Sequence, residues 1–267
     1  MRMWLKQNAW MFPAALFFGL WLSCSYIKPY EGSIPLYLLV YQLSGARGTF
    51  PLGINLTELL EFTLRLLPFL VFQALAGISF YRHYCTASVY VFSRIPNRLR
   101  WYAKESGILA LQTLLYQALV LVVAIGCAGA RYNLTHLSQG VPVLVYHLLI
   151  WSLWTLMFTL GINLLAIYVG SSTAFAALAG VQVACISLLM ALTRLEENPP
   201  LALAVMRANP VTCLILNWQT SRLSPLGGGI YWEDSLVLVL MAAAAMAVVG
   251  SVLVQRHDLL ISDTDGG

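Results

Sequence analysis

Long apolar runs recur through almost the whole of this chain, and they leave it little choice of fold. Six of them are long enough to cross a bilayer: Ala9–Ile27, Leu59–Tyr81, Gly107–Gly126, Val143–Tyr168, Ala174–Thr193 and Ser235–Val254. A hydrocarbon core about 30 Å thick takes about 20 apolar residues in helix. Inside it every backbone amide must be paired within the segment, so helix is the form these runs take. The 267 residues are 60% hydrophobic and only 10% charged, whereas a soluble domain carries about 25% charged residues. Charge this sparse cannot cover a surface facing water. The expected fold is therefore an all-α integral membrane protein, one transmembrane domain over residues 1–267 with six spans.

The first run follows Arg2 and Lys6, as a signal peptide would, but it is long and has no clear small-residue cleavage site before Lys28. It reads as a retained helix with a cytoplasmic N-terminus. The start of the second span carries Asn55 and, three residues on, Glu58, a variant of the capping box. Gly170, Ser171 and Ser172 make a tight break between the fourth and fifth spans, which forces these two to be antiparallel neighbours. Basic residues collect on the cytoplasmic side of membrane proteins. Here they are densest between the second and third spans, at Arg82, Arg94, Arg98, Arg100 and Lys104. Both termini are accordingly expected in the cytoplasm of a plasma-membrane protein.

Two of the outer connections are more than loops. Lys28–Leu56 contains the apolar stretch Ile34–Leu43, and Leu201–Trp218 is largely apolar but broken at Asn209-Pro210. Both are too short to span, and apolar pieces of that length read as re-entrant or interfacial segments. Pro210 lacks an amide donor and biases Asn209 away from helix. Trp218 and Trp232 are expected at the headgroup level. No internal repeat is visible, which gives no support to the inverted-repeat architecture of many secondary transporters.

The five cysteines and four histidines are scattered without metal-like spacing. The cysteines read as small apolar fillers, and no metal site or disulfide framework is expected. The few basic residues mostly flank apolar runs, so nucleic acid is not an expected partner. Glu58, Glu61 and Arg65 form a polar cluster at the start of the second span, with Glu61 four residues before Arg65 in the favourable ion-pair order. They read first as a solvated, self-paired first turn, and alternatively as a polar lining at the outer mouth. Gln73, Gln112, Gln117, Asn163 and Gln182 lie within apolar spans and are expected to tie helices together by hydrogen bonds. No acid or histidine is expected deep in the bundle.

The loop between the second and third spans is the most informative stretch. Apolar side chains fall on roughly one helical face around Val89 and Phe92, and Pro96 then precedes Arg98, Arg100 and Lys104. It reads as a short helix and a turn, suited either to docking a partner or to lying on lipid headgroups. The run Tyr90-Val-Phe-Ser-Arg-Ile-Pro-Asn-Arg-Leu-Arg-Trp-Tyr-Ala-Lys-Glu105, the Asn209-Pro210 pair before the last span and the six-span layout together resemble the ABC-2 type permeases. The likeness is greatest to the short ones that serve peptide-antibiotic export or immunity.

That resemblance implies the membrane subunit of an ATP-driven exporter. The cargo would be a peptide, a drug or a lipid-like molecule. Residues Ser88, Tyr90, Phe92, Ser93, Arg94, Pro96, Asn97, Arg98 and Trp101 would form the coupling segment that seats in a groove of the ATPase. No phosphate-binding glycine loop occurs in the chain. ATP and magnesium would therefore belong to partner ATPase subunits, and this chain would be neither a catalyst nor a cofactor binder. A second permease, identical or paralogous, would complete the pathway. The resemblance places the fifth helix at the dimer interface, and Ala177 and Gly180 are the candidate seam. The rival readings are an ion-coupled secondary transporter and an intramembrane enzyme.

Overall fold

The computed structural model describes residues 9–28, 32–45, 56–77, 98–189, 199–220 and 230–256. Among them five helices are long and apolar enough to cross a membrane. The chain is an all-α, multi-pass membrane protein. In order, the elements are α1 (Met11–Tyr26), β1 (Ser33–Pro35), α2 (Leu36–Ser44), α3 (Leu56–Gly77), α4 (Arg98–Arg131), β2 (Asn133–Thr135), α5 (Leu137–Val169), α6 (Ser171–Leu188) and α7 (Pro199–Ala208). Two 3-10 turns follow, Pro210–Leu214 and Leu216–Trp218, then β3 (Gln219–Thr220), β4 (Ile230–Tyr231) and α8 (Trp232–Arg256).

The helix α1 has 16 residues, about 24 Å at 1.5 Å per residue, which is shorter than the hydrocarbon core it was expected to cross. The third apolar run, by contrast, grows at both ends. Its helix α4 has 34 residues, about 51 Å, and it takes in Arg98 and Trp101. These two therefore stand in the first turn of a long helix and not in a separate short one. The helix α5 likewise starts at Leu137, six residues before the expected boundary, although Pro142 lies in its second turn. The ring leaves the carbonyl of Ser138 without its helical donor, and the helix continues because tertiary packing outweighs that loss.

The bundle is organised around α5, which packs against α2, α4, α6 and α8. The connection to α6 is Gly170 alone, at φ 80°, a conformation open to glycine without Cβ strain. The expected antiparallel hairpin follows, and a Cβ on Gly161 would stand 3.0 Å from Leu178 across it. The pairing of α1 with α4 is also close. A Cβ on Gly19 would lie 2.7 Å from the Val123 side chain, so the backbones meet at a distance only a small residue permits. At the end of the same pair, Arg131 donates to the Sγ atoms of Cys24 and Cys127, at 3.0 Å and 3.1 Å.

One end of the bundle carries a cap. The strands β1 and β2 pair in parallel there, and α2 lies on α5 so closely that Leu36 occupies the space where Gly140 lacks a side chain. On the other side of the cap, the segment from α7 to β3 folds back onto α5, α6 and α8. Asn209 has the extended backbone that Pro210 requires. Its side chain donates to the Cys185 carbonyl at the end of α6, 2.7 Å away, and accepts from the amide of Val211. Tyr146 of α5 donates to Gln219, whose amide in turn donates to the carbonyls of Thr212 and Cys213. Both outer segments read as re-entrant pieces thus pack into the core. Trp218 goes with them: it is 1% exposed, buried in the cap and not at a lipid-facing headgroup level. Trp232 is half-buried against Tyr146, with ring centroids 5.1 Å apart.

The opposite end is held by a smaller cluster. Tyr102 at the start of α4 and Val254 at the end of α8 pack with Trp101 and Ile167, and Gly250 lies against the hydroxyl end of Tyr102. Apolar side chains such as Phe17, Val122, Met241 and Val248 point out of the bundle, as a lipid-facing surface requires.

Candidate functional site

Among the described residues, the second span supplies the first charged side chain that reaches the interior. α3 is interrupted by a turn at Leu66. Pro68 is the cause, because its ring removes a donor and crowds the preceding turn. The amide of Leu66 shares the carbonyls of Phe62 and Thr63, and Tyr116 of α4 donates to the Pro68 carbonyl at 3.1 Å. The bend turns Arg65 inward. Its side chain lies with the ring of Tyr26, the guanidinium carbon 4.1 Å from the ring centroid. Glu61 pairs with it one turn away at 3.7 Å.

Arg65 is 2% exposed, so the expectation of a solvated first turn is corrected. Glu58 and Glu61 are half-exposed, but the arginine belongs to the protein interior. A desolvated cation over an aromatic face gains about 2 kcal/mol. That offsets part of the cost of holding a guanidinium in an apolar span.

Arg65 faces a narrow cavity that five elements enclose. Leu22 comes from α1, Leu43 from α2, Phe69 from α3, Gln117 and Leu121 from α4, and His147 and Trp151 from α5. The cavity has room for about one water molecule. His147 is 5% exposed and Trp151 1%. Neither His147 Nδ1 nor Trp151 Nε1 has a hydrogen-bond partner among the described residues. Phe69 stacks on Trp151 at 4.2 Å between centroids, which fixes the indole plane. Gln117 donates to Thr155 Oγ1 at 3.2 Å. The expectation that no histidine would lie deep in the bundle is therefore also corrected. His147 was within reach of sequence reasoning, since it shares a helical face with Trp151 and Trp154 at spacings of four and seven, but its place at the same cavity as Arg65 depends on the turn at Leu66.

A second polar group sits deeper. Gln73 of α3 and Gln182 of α6 exchange amide hydrogen bonds of 2.8 Å and 3.3 Å, and Trp154 donates to Gln182 Oε1 at 3.0 Å. The two glutamines do what glutamines in apolar spans are expected to do, tying three helices together. Asn163 does not, for its amide has no hydrogen-bond partner among the described residues although it is buried.

Of the expected coupling segment, Ser88, Tyr90, Phe92, Ser93, Arg94, Pro96 and Asn97 lie outside the described residues, as does the cap residue Asn55. Arg98 and Trp101 are half-buried at the end of the bundle opposite the cap, and Arg100 and Lys104 are exposed beside them. Ala177 and Gly180 are exposed on α6, and a Cβ on Gly180 would meet nothing within 4 Å. No group of three or more metal-ligating side chains occurs among the described residues. Comparison with models of known families, with curated proteins and with solved structures finds no match.

Proposed function

We propose that this chain is the membrane-spanning permease subunit of an ATP-driven exporter of the ABC-2 type, with α1 completing a six-span bundle in the plasma membrane. The observation that carries the reading is the segment between α6 and α8. Its described residues, 199–220, turn at Asn209-Pro210 and pack into the bundle, as the resemblance expects of the piece before the last span.

Two further features agree with it. Basic residues Arg98, Arg100 and Lys104 gather where α4 begins, at the end opposite this segment, which makes that end the cytoplasmic one by the distribution of positive charge. The exposed small residues of α6 leave a face free for a second permease. In this reading ATPase subunits grip the basic connection before α4. Closure on ATP then tilts α4 and the helices packed on it, and a pathway between two permeases opens to the capped side.

The test is first whether a neighbouring gene encodes an ATPase with a phosphate-binding loop, and then co-purification of the chain with that ATPase. Reversing Arg94→Glu and Arg98→Glu together is expected to abolish ATP-dependent complex formation while the protein still inserts in the membrane. A complex that survives both reversals removes this docking surface. The buried Arg65 and His147 favour a second reading, an ion-coupled transporter that needs no ATPase. Purified chain alone, moving cargo down an imposed ion gradient in liposomes, would decide for it.

A further inference from the structure

Two thiols from different helices meet at the capped end of the seam between α1 and α4. Free cysteines are commonly buried as small apolar fillers, and Cys213 is placed so. Cys24 on α1 is instead exposed, Cys127 on α4 is half-buried, and both are free thiols. The two helices advance in the same direction: Gly19 packs against Val123, and further along the seam Cys24 and Cys127 share a partner. That partner is Arg131, in the last turn of α4. One terminal nitrogen of its guanidinium donates to Cys24 Sγ at 3.0 Å and to Cys127 Sγ at 3.1 Å. The sulfurs therefore flank a single atom and stand no more than about 6 Å apart, where a disulfide brings them to about 2 Å. The arginine between them is exposed, so it can swing into solvent as they close. The anionic sulfur is the nucleophile of thiol chemistry, and this guanidinium is placed to hold the charge on either one. The same cation repels a metal ion, and no group of three or more metal-ligating side chains occurs among the described residues. The pair is thus suited to oxidation and not to metal binding.

We propose that Cys24 and Cys127 form a reversible dithiol–disulfide pair that ties α1 to α4 when oxidised, with Arg131 as the positioning residue. The oxidant is a small-molecule disulfide of the glutathione class. One cysteine sulfur, as thiolate, attacks it, forms a mixed disulfide and expels one glutathione thiolate. The other cysteine sulfur attacks the protein sulfur of that mixed disulfide and expels the second. The two cysteine protons end on the two glutathione thiolates, so two protein thiols are oxidised and one disulfide is reduced to two thiols. The bridge would stop the 16-residue helix α1 from sliding along α4. The capped end is the outer one by the distribution of positive charge, and disulfides persist on that side. Bond formation itself rests on the geometry of the pair, whatever energy source drives the protein.

The experiment uses the full-length chain in nanodiscs, fully reduced, freed of reductant and then treated with oxidised glutathione. Mass spectrometry of the unreduced digest should find the peptides of Cys24 and Cys127 joined and two hydrogen atoms lighter than their sum. The bridge would close a loop of about 100 residues, and the melting temperature should rise by about 5–10 °C. Dithiothreitol should reverse both changes, and Cys24→Ser or Cys127→Ser should each abolish the rise. Arg131→Gln should slow bridging about five- to tenfold, the worth of one hydrogen bond, and Arg131→Lys, which keeps the charge, should restore most of the rate. The joined peptide is sought in the unaltered chain, so the test does not depend on any variant folding.

Oxidation that stops at glutathione adducts of Cys24 or Cys127 would show that the two sulfurs cannot meet, and would overturn the proposal. A bridge from either of them to a different cysteine would do the same, as would a melting rise that survives Cys24→Ser. Equal bridging rates in Arg131→Gln and the unaltered chain would remove Arg131 from the site.

Discussion

Arg65 illustrates how far a single residue can depart from its local context. Its place in the sequence, four residues after Glu61 and near the start of an apolar run, gives the pattern of an exposed ion pair, and the pair does form. What the pattern lacks is the direction in which the pair faces, because that depends on Pro68 and on Tyr26 from another helix. The buried glutamines were legible by a simpler argument: an amide in an apolar span needs a partner, and the other buried amides are the obvious ones. Their energetic ranking needs the structure. Gln182 serves both Gln73 and Trp154, whereas Gln73 bonds with Gln182. Gln182→Leu should therefore cost about 1–3 kcal/mol of unfolding free energy, the loss for each orphaned buried group being of that order, and Gln73→Leu clearly less. Equilibrium unfolding in mixed micelles measures both. Equal losses would mean that the bond from Trp154 contributes nothing.

At the scale of elements, the helices were legible and their ends were not. Hydropathy marks where lipid can surround a helix, and it stops marking once the helix leaves the membrane. For that reason the start of α4, with its basic side chains Arg98, Arg100 and Lys104, falls outside any apolar window although it is helical. The two re-entrant stretches were visible as apolar runs too short to span. Their packing into the cap, with Trp218 buried, rests on long-range contacts such as Tyr146 with Gln219, which no local pattern encodes. The close approach of α1 to α4 gives the prediction that belongs to this scale. Gly19→Leu should destabilise the protein by about 1–3 kcal/mol through overpacking, because Val123 and the Val120 carbonyl already fill the space. Gly126→Leu, on α4 but facing open space, should leave the melting temperature unchanged. Equal effects of the two substitutions would show that α1 is not seated against α4 as described.

For the whole molecule, burial is distributed unevenly. The helix α5 is mostly inside, with 67% of its most apolar window buried, while for α6 the share is 17%. An exposed helix in a membrane protein needs no explanation beyond lipid, but α6 exposes its smallest residues, and small residues are what let helices approach closely. If two permeases meet along this face, Ala177→Leu combined with Gly180→Leu should eliminate cross-linked dimers. Both positions face away from the protomer, so its own melting should not change. Dimers formed at the normal yield would move the interface to another helix.

Gly170 has a mechanical consequence. A joint of one residue has no slack, so α5 cannot tilt without its neighbour α6 rising or swinging with it. The inner helix that carries His147 and Trp151 and the outermost helix of the bundle thus form a lever with its pivot at the end away from the cap. Any load felt inside the bundle is delivered undamped to its periphery.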